Sequence, residues 1–315
     1  MLGDWPRTGL SAYRGDNCMK LPYYLLDVFT RERLAGNPLA VVLKADGLSD
    51  ERMQAIAGEF NLSETVFVHA PRNERHAAAL RIFTTERELA FAGHPTIGST
   101  VLLGLLHRLS AVRLELGVGL VTAVMERIDR RTGEAKFALP RLPERLAEMP
   151  DIAAIAARLG LVESDIGCNG MMPARYSAGS PFYLIPVRDT GALEAIALER
   201  RGWSEVFPGD HNAIYVFTAT PDERGTDYAA RMFGVGTDQG EDPATGSAAA
   251  ALVGLLVDEG GYGEGQHVIG LRQGHEMGRP SRIDVQFTIA EGALKHAGIG
   301  GSAVILAEGV LDLDE

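Results

Sequence analysis

Cysteine is scarce: there are two in 315 residues, Cys18 and Cys168. Two cysteines cannot form the framework of a disulfide-stapled secreted domain, so a reducing, cytoplasmic setting is expected. Positive charge is also in deficit, with 30 Lys and Arg against 42 Asp and Glu, a net charge of -12 and a pI near 5.2. Nucleic acids and anionic membrane surfaces are recognised by clustered basic side chains, so neither is an expected partner. A bilayer span needs ~20 apolar residues, whereas the longest strongly apolar stretch without a charge, Pro243–Val257, has fifteen. The opening residues MLGDWPRTGLSAYRGDNCMK contain no apolar leader segment, and a signal peptide is not expected. There is no GxGxxG, P-loop, HExxH or CxxC pattern, and the eight histidines are scattered, so no metal site is predicted.

Glycine, by contrast, is abundant. The 37 glycines are about 12% of the chain, against a usual ~7%, which predicts tight turns and close backbone approaches. The chain is 46% hydrophobic and 23% charged, with a mean hydropathy of +0.01, a globular composition. Its length suits about two domains.

Those two domains are predicted to be versions of one unit, because four segments recur in the same order. Gly36-Asn37-Pro38 resembles Gly179-Ser180-Pro181, and Gln54–Glu59 resembles Glu194–Glu199. Val66-Phe67-Val68 resembles Val216-Phe217-Thr218, and Arg81-Ile82-Phe83 resembles Arg231-Met232-Phe233. The shift in offset implies an insertion between Glu199 and Ala213. Each unit reads strand, helix, strand, strand and long apolar helix, starting from a strand-like run at Leu21–Phe29. Asp50–Phe60 places Met53, Ile56, Ala57 and Phe60 on one helical face, with Ser49 as N-cap. The long helices are expected at Pro95–Leu109 and Ala244–Asp258. A helix apolar on every side must be buried on every side, which a sheet wrapped around it achieves.

The predicted fold is therefore α/β (α+β), with two pseudo-symmetric lobes, each a curved mixed sheet wrapped around a central apolar helix. Residues 1–19 are read as an N-terminal extension, with Met19 as a possible start. Residues 20–140 form the expected N-terminal lobe and residues 141–315 the C-terminal lobe, the last strand being free to cross back to the first. A small-molecule site is expected in the cleft between lobes.

The turns before the long helices are Phe91-Ala92-Gly93-His94-Pro95-Thr96 and Gly240-Glu241-Asp242-Pro243-Ala244-Thr245-Gly246-Ser247. Helix N-termini present unpaired N–H groups and partial positive charge, which suits a carboxylate or phosphate. Simple capping is the other reading, with Asp242 as N-cap and Pro243 at the first helical position. Glu64, in Asn61-Leu62-Ser63-Glu64-Thr65-Val66, enters an apolar strand. It is either a partly desolvated acid/base or a solvated strand-end carboxylate. Cys168 reads as part of a bland turn. The stretch from Arg272 to Ser281 either supports the site or merely links two strands.

Together these segments resemble the phenazine-biosynthesis PhzF-like family. The matching stretches are DVFTRERLAGNPLAVVL, NLSETVFV, RIFTTERELAFAGHPTIGS, GEDPATGSAAAALVGLL and QGHEMGRPSRI, within about residues 21–285. The resemblance implies the diaminopimelate-epimerase-like fold, a homodimer and cofactor-independent isomerisation. In the family's best-understood member the substrate is trans-2,3-dihydro-3-hydroxyanthranilate. By the same resemblance, Glu64 would be the acid/base, with His94, Asp242 and Ser247 as further catalytic residues. Gly93 and Gly246, with Thr245 beside them, would hold a substrate carboxylate. No cofactor and no metal are implied. The fold's epimerases carry a cysteine at each helix start, where this chain has Gly93-His94 and Gly246-Ser247, so two-cysteine racemisation is not expected. Two other readings stay open: an isomerase or epimerase of an amino-acid-like or hydroxyproline-like carboxylate, and a non-catalytic metabolite-binding protein. Retention of Glu64, His94, Asp242 and Ser247 together argues against the last.

Overall fold

Alternation of buried and exposed side chains marks the strands, most plainly in Gly119–Arg127, where Val121, Ala123 and Met125 point inward. The computed structural model describes residues 18–146, 149–209, 212–220, 227–234 and 240–314; residues 1–17 of the expected extension lie outside them. The first half contains β1 (Cys18–Val28), β2 (Asn37–Val42), α1 (Asp50–Phe60), β3 (Thr65–His69), β4 (Ala78–Phe83), β5 (Glu88–Leu89), α2 (Gly93–His107), β6 (Ala111–Leu116), β7 (Gly119–Arg127) and β8 (Thr132–Ala138). The second half contains β9 (Glu144–Leu146), α3 (Ile152–Leu159), β10 (Ala174–Ser177), β11 (Pro181–Pro186), α4 (Thr190–Glu194), α5 (Trp203–Val206) and β12 (Ile214–Ala219). It continues through β13 (Tyr228–Phe233), β14 (Glu241–Asp242), α6 (Gly246–Glu259), β15 (Gly265–Gln273), β16 (Ser281–Ala290) and β17 (Ala293–Asp314).

The pairing repeats between the halves. β2 is parallel to β3, β3 antiparallel to β4, and β4 antiparallel to β5 and parallel to β6. β11, β12, β13, β14 and β15 follow the same scheme. Even the ion pairs correspond. Arg81 forks onto Glu88 at 2.7 and 2.5 Å, and Arg231 onto Glu241 at 2.9 and 2.8 Å. Seven residues separate the first pair and ten the second, so the second connection is three residues longer.

β17 joins the strands of the two halves into one continuous sheet. Its start pairs with β16, its middle with β8 and its end with β1. Ala303 and Val304 pair with β8 on one side and β1 on the other, which closes the strands of the first half into a ring around α2. α2 is buried without a break from Gly93 to Leu105, and α6 from Ala248 to Leu256. Among the described residues, no helix is long and apolar enough to cross a membrane.

Local expectations are met in part. α1 matches its predicted bounds, and the Ser49 side chain accepts from Arg52 N. β1 starts at Cys18, so Cys18 and Met19 belong to the sheet. α2 starts two residues earlier than expected and stops where Arg108 turns left-handed, at φ 58°. α6 starts two residues later than expected, with Thr245 as its N-cap, so Asp242 does not cap it. The predicted correspondence of Gln54–Glu59 with Glu194–Glu199 also fails as a helix match. α4 ends at Glu194, and the following backbone bonds to the end of α3 instead, with Ala197 N donating to Leu159 O and Glu199 N to Arg158 O. The insertion carries α5, whose Trp203 packs on Phe207 with ring centroids 4.7 Å apart.

Helix α6 packs closely because Gly254 lies against the Tyr176 ring; a β-carbon there would overlap it and meet Pro143 Cβ at 3.1 Å. Gly254→Val is expected to lower the unfolding free energy by about 1–3 kcal/mol through overpacking. Exposed Gly58 in α1 has nothing within 4 Å of an added β-carbon, and Gly58→Ala is expected to raise stability by about 0.5–1 kcal/mol. Chemical denaturation of the two variants checks both signs.

Candidate active site

The starts of α2 and α6 meet face to face. A β-carbon on Gly93 would stand 3.1 Å from Gly246 Cα and 3.3 Å from Ser247 N; one on Gly246 would stand 3.3 Å from Gly93 Cα. Larger residues at either position would drive the helices apart. Neither N-cap residue, Ala92 or Thr245, makes a side-chain capping bond, and neither first turn contains an acidic residue. The first N–H groups of a helix have no intrahelical partner. Two partially positive ends therefore lie side by side, an arrangement that favours an anion placed against both.

Glu64 reaches this place from the connection between α1 and β3. Asn61 ends α1 in the left-handed region, at φ 50°, and turns the chain toward Ser63 and Glu64. Glu64 Oε2 lies 3.4 Å from His94 Nε2. Both atoms are buried without a hydrogen-bond partner among the described residues, although the Glu64 side chain as a whole is 16% exposed. Burial pushes the Glu64 carboxyl up to about 8, and the nearby Asp242 charge adds to the rise. Burial also holds the His94 imidazole down at about 3, so the ring is neutral at neutral pH.

Asp242 completes the group. Burial raises its carboxyl to about 6, against the opposing effect of hydrogen bonds from Thr245, Asn37 and Ser63. Asn37 Nδ2 donates to Asp242 Oδ1 at 2.9 Å, Ser63 Oγ donates to the same oxygen at 3.3 Å, and Thr245 Oγ1 donates to Oδ2. Asn37 comes from the first half and Asp242 from the second, so this bond also links the two.

The structure thus gathers Glu64, His94, Asp242, Thr245, Gly93, Gly246 and the Ser247 backbone around the paired helix starts. For Ser247 the observed approach is through its backbone nitrogen. Asn37, Ser63 and Gln273 also belong to this group, although no motif in the sequence marks them as site residues. Gln273 is fully buried; its amide donates to Asp242 O at 2.7 Å and to Thr245 Oγ1 at 3.1 Å, and accepts from Thr245 N at 3.1 Å and from Tyr215 OH at 3.2 Å. The stretch from Arg272 to Ser281 therefore links β15 to β16 and also shapes the turn before α6. Arg279, in the same stretch, donates to buried Asp27 at 2.6 Å and to Gly36 O and Ala35 O at 2.7 Å, fixing the loop that carries Asn37. One sequence signal pointed to Asn37: it is the position at which Gly-Asn-Pro and Gly-Ser-Pro differ within the repeat. Among the described residues, no group of three His, Cys, Asp or Glu side chains is arranged to hold a metal ion.

Comparison with known proteins places this geometry in context. The profile of the family described as "Phenazine biosynthesis-like protein" matches residues 26–309. An uncharacterized isomerase of Mesorhizobium japonicum is 45% identical over 296 residues, covering 92% of this chain and 98% of the relative. The trans-2,3-dihydro-3-hydroxyanthranilate isomerase of Pseudomonas aeruginosa is 34% identical over 290 residues, covering 91% and 98%. The crystal structure of a phenazine biosynthesis protein of the PhzF family from Bacillus anthracis superposes with a TM-score of 0.83 at 22% identity, covering 93% of this chain and 99% of that one. That likeness shows a shared fold.

Holding Glu64 protonated to about pH 8 affects stability, because the carboxyl ionises near 4.5 once solvated. Between those values the native state binds more protons than the unfolded chain, so this residue's contribution to stability falls as pH rises. Glu64→Gln, which cannot ionise, is expected to gain on the wild type progressively from pH 5 to pH 8 in thermal melts. A difference in Tm that stays constant across this range would contradict the buried, protonated carboxyl.

Proposed function

The chain belongs to the phenazine biosynthesis-like protein family and is an isomerase; from that premise we propose that it moves a proton between carbons of a small carboxylate substrate, with Glu64 as the acid/base and without a cofactor. The observation that carries this reading is the Glu64–His94 contact beside the paired helix starts. A carboxyl with its proton affinity raised to about 8 is a strong enough base to take a proton from an activated carbon. It is also a strong enough acid, once protonated, to give that proton back.

The substrate carboxylate would lie against the N–H groups at Gly93 and Gly246, where both helix ends favour negative charge. Ionised Glu64 takes a proton from a carbon next to a conjugated system, and the electron pair spreads into that system. The same carboxyl then delivers the proton to a carbon at the far end, on the same face. One C–H bond breaks, another forms and a double bond shifts, so nothing is oxidised or reduced. His94 offers neutral polar contact to the carboxylate as its charge develops, and Asp242 orients polar groups of the substrate, with Thr245 and Ser247 beside it. Fixed dipoles in a water-poor site stabilise developing charge better than water does.

Incubation with candidate carboxylates in deuterated water should incorporate label at carbon, and Glu64→Gln should lower that rate by at least a hundredfold, within the range general acid–base groups contribute (~10²–10⁴). Exchange by Glu64→Gln at the wild-type rate would remove Glu64 from the role; tight carboxylate binding with no exchange would favour a metabolite-binding protein. With an identified substrate, kcat/KM should rise with pH through about 8 as Glu64 ionises. Asp242→Asn should move that limb to lower pH, because the Asp242 charge is one cause of the raised value. An unmoved limb would assign it to another group.

A further inference from the structure

We propose that Asn37 is a positioning residue that holds His94 in its Nε2–H tautomer, so that the Nε2–H faces Glu64 Oε2 and leaves Oε1 as the oxygen that exchanges protons with the substrate. This deepens the proposed function and rests on Glu64 being the acid/base.

The geometry leaves little freedom. Asn37 is fully buried at the start of β2. Gly36 before it has φ +64°, and a β-carbon there would strike Val28 O. The Asn37 amide nitrogen has two hydrogens, and each has an acceptor: Asp242 Oδ1 at 2.9 Å and Ala244 O at 2.9 Å. Rotating the amide by half a turn would place its oxygen against those two oxygens, so the orientation is determined. The same nitrogen lies 3.5 Å from His94 Nδ1. A proton on Nδ1 would point at an N–H₂ group with no acceptor to receive it. The lone pair therefore sits on Nδ1, and the single proton of the neutral ring sits on Nε2.

That proton faces the Glu64 side. Nε2 and Oε2 are 3.4 Å apart without forming a hydrogen bond, and neither has a hydrogen-bond partner among the described residues, so each is available to the other. Once a bound substrate draws the two groups together, the ring would donate to the carbonyl oxygen of the protonated carboxyl, leaving the carboxyl proton on Oε1; when Glu64 is ionised, the same bond would stabilise the carboxylate. In the opposite tautomer Nε2 would be an acceptor and would draw the carboxyl proton to Oε2, away from the substrate. Asn37 performs this role without touching substrate, by way of a ring in the first half and a carboxylate and carbonyl in the second.

Nitrogen-15 NMR of the full chain labelled in histidine tests the proposal, because the two ring nitrogens report the tautomer independently of turnover. The His94 signals, assigned by their loss in His94→Gln, are expected to show a neutral Nε2–H ring at pH 7. A ring protonated on Nδ1 in the wild type would overturn the proposal without any Asn37 variant. Asn37→Ala is expected to mix the tautomers and to lower kcat at least tenfold with a smaller change in KM; a wrong histidine tautomer costs ~10⁴ in kcat in the best-studied catalytic triad. A pure Nε2–H ring in Asn37→Ala would show that Asn37 is not what sets the tautomer. If Glu64→Gln keeps wild-type exchange while the tautomer is as expected, the Glu64 assignment fails and the Asn37 geometry stands.

Discussion

The structure depends on two helix ends being brought together glycine to glycine. α2 and α6 are buried almost throughout, and they meet where Gly93 faces Gly246 at distances that leave no room for a β-carbon. Both ends lack a capping side chain. Like-signed partial charges in a shared, poorly solvated space are unfavourable until an anion arrives. The proposed carboxylate site follows from that pairing, and Glu64, His94 and Asp242 are arranged around it.

The surrounding groups show the same opposition between stability and readiness. Glu64 and Asp242 are held above their usual proton affinities and His94 below its own, each mainly by burial. For Glu64 the shift reverses the protonation state at neutral pH: the buried carboxyl keeps its proton where a solvated one would be ionised. Such strain persists because a firmer outer layer supports it: Arg279 ties buried Asp27 to the loop before β2, and Gln273 ties the turn before α6 to Tyr215. These outer groups have their hydrogen bonds satisfied, whereas Glu64 Oε2 and His94 Nε2 do not. Polar atoms without partners inside a protein are costly, and such atoms call for an explanation in the chemistry of their surroundings.

Much of the fold was legible because its determinants are local. The repeated Arg81 and Arg231 segments, the two apolar runs and the Ser49 cap all correspond to repeated pairings, buried helices and a real cap. The errors fell where a tertiary contact overrode a local preference. Asp242-Pro243 has the pattern of a helix start, but Asp242 accepts from Asn37, Ser63 and Thr245, and α6 begins at Gly246. Glu194–Glu199 reads like the helix around Gln54, but its backbone bonds to the end of α3. Cys18 and Met19 look like part of a tail, but they pair with Asp314 and Leu313 across nearly the whole length of the chain.

By itself the sequence pointed to the repeated order of pairing seen in the two halves, to an apolar helix in each, and to which turns precede those helices. Periodicity, composition and turn chemistry act over a few residues and can be read from them. Only the tertiary structure decided that Glu64 Oε2 lies 3.4 Å from His94 Nε2, that Asn37 spans the halves to Asp242, and that Gln273 braces Thr245. Burial and charge proximity set proton affinities, and both depend on residues far apart in the chain. Glu64 was ambiguous as a residue in a sequence and acquires a definite proton affinity only in the place where the two halves meet.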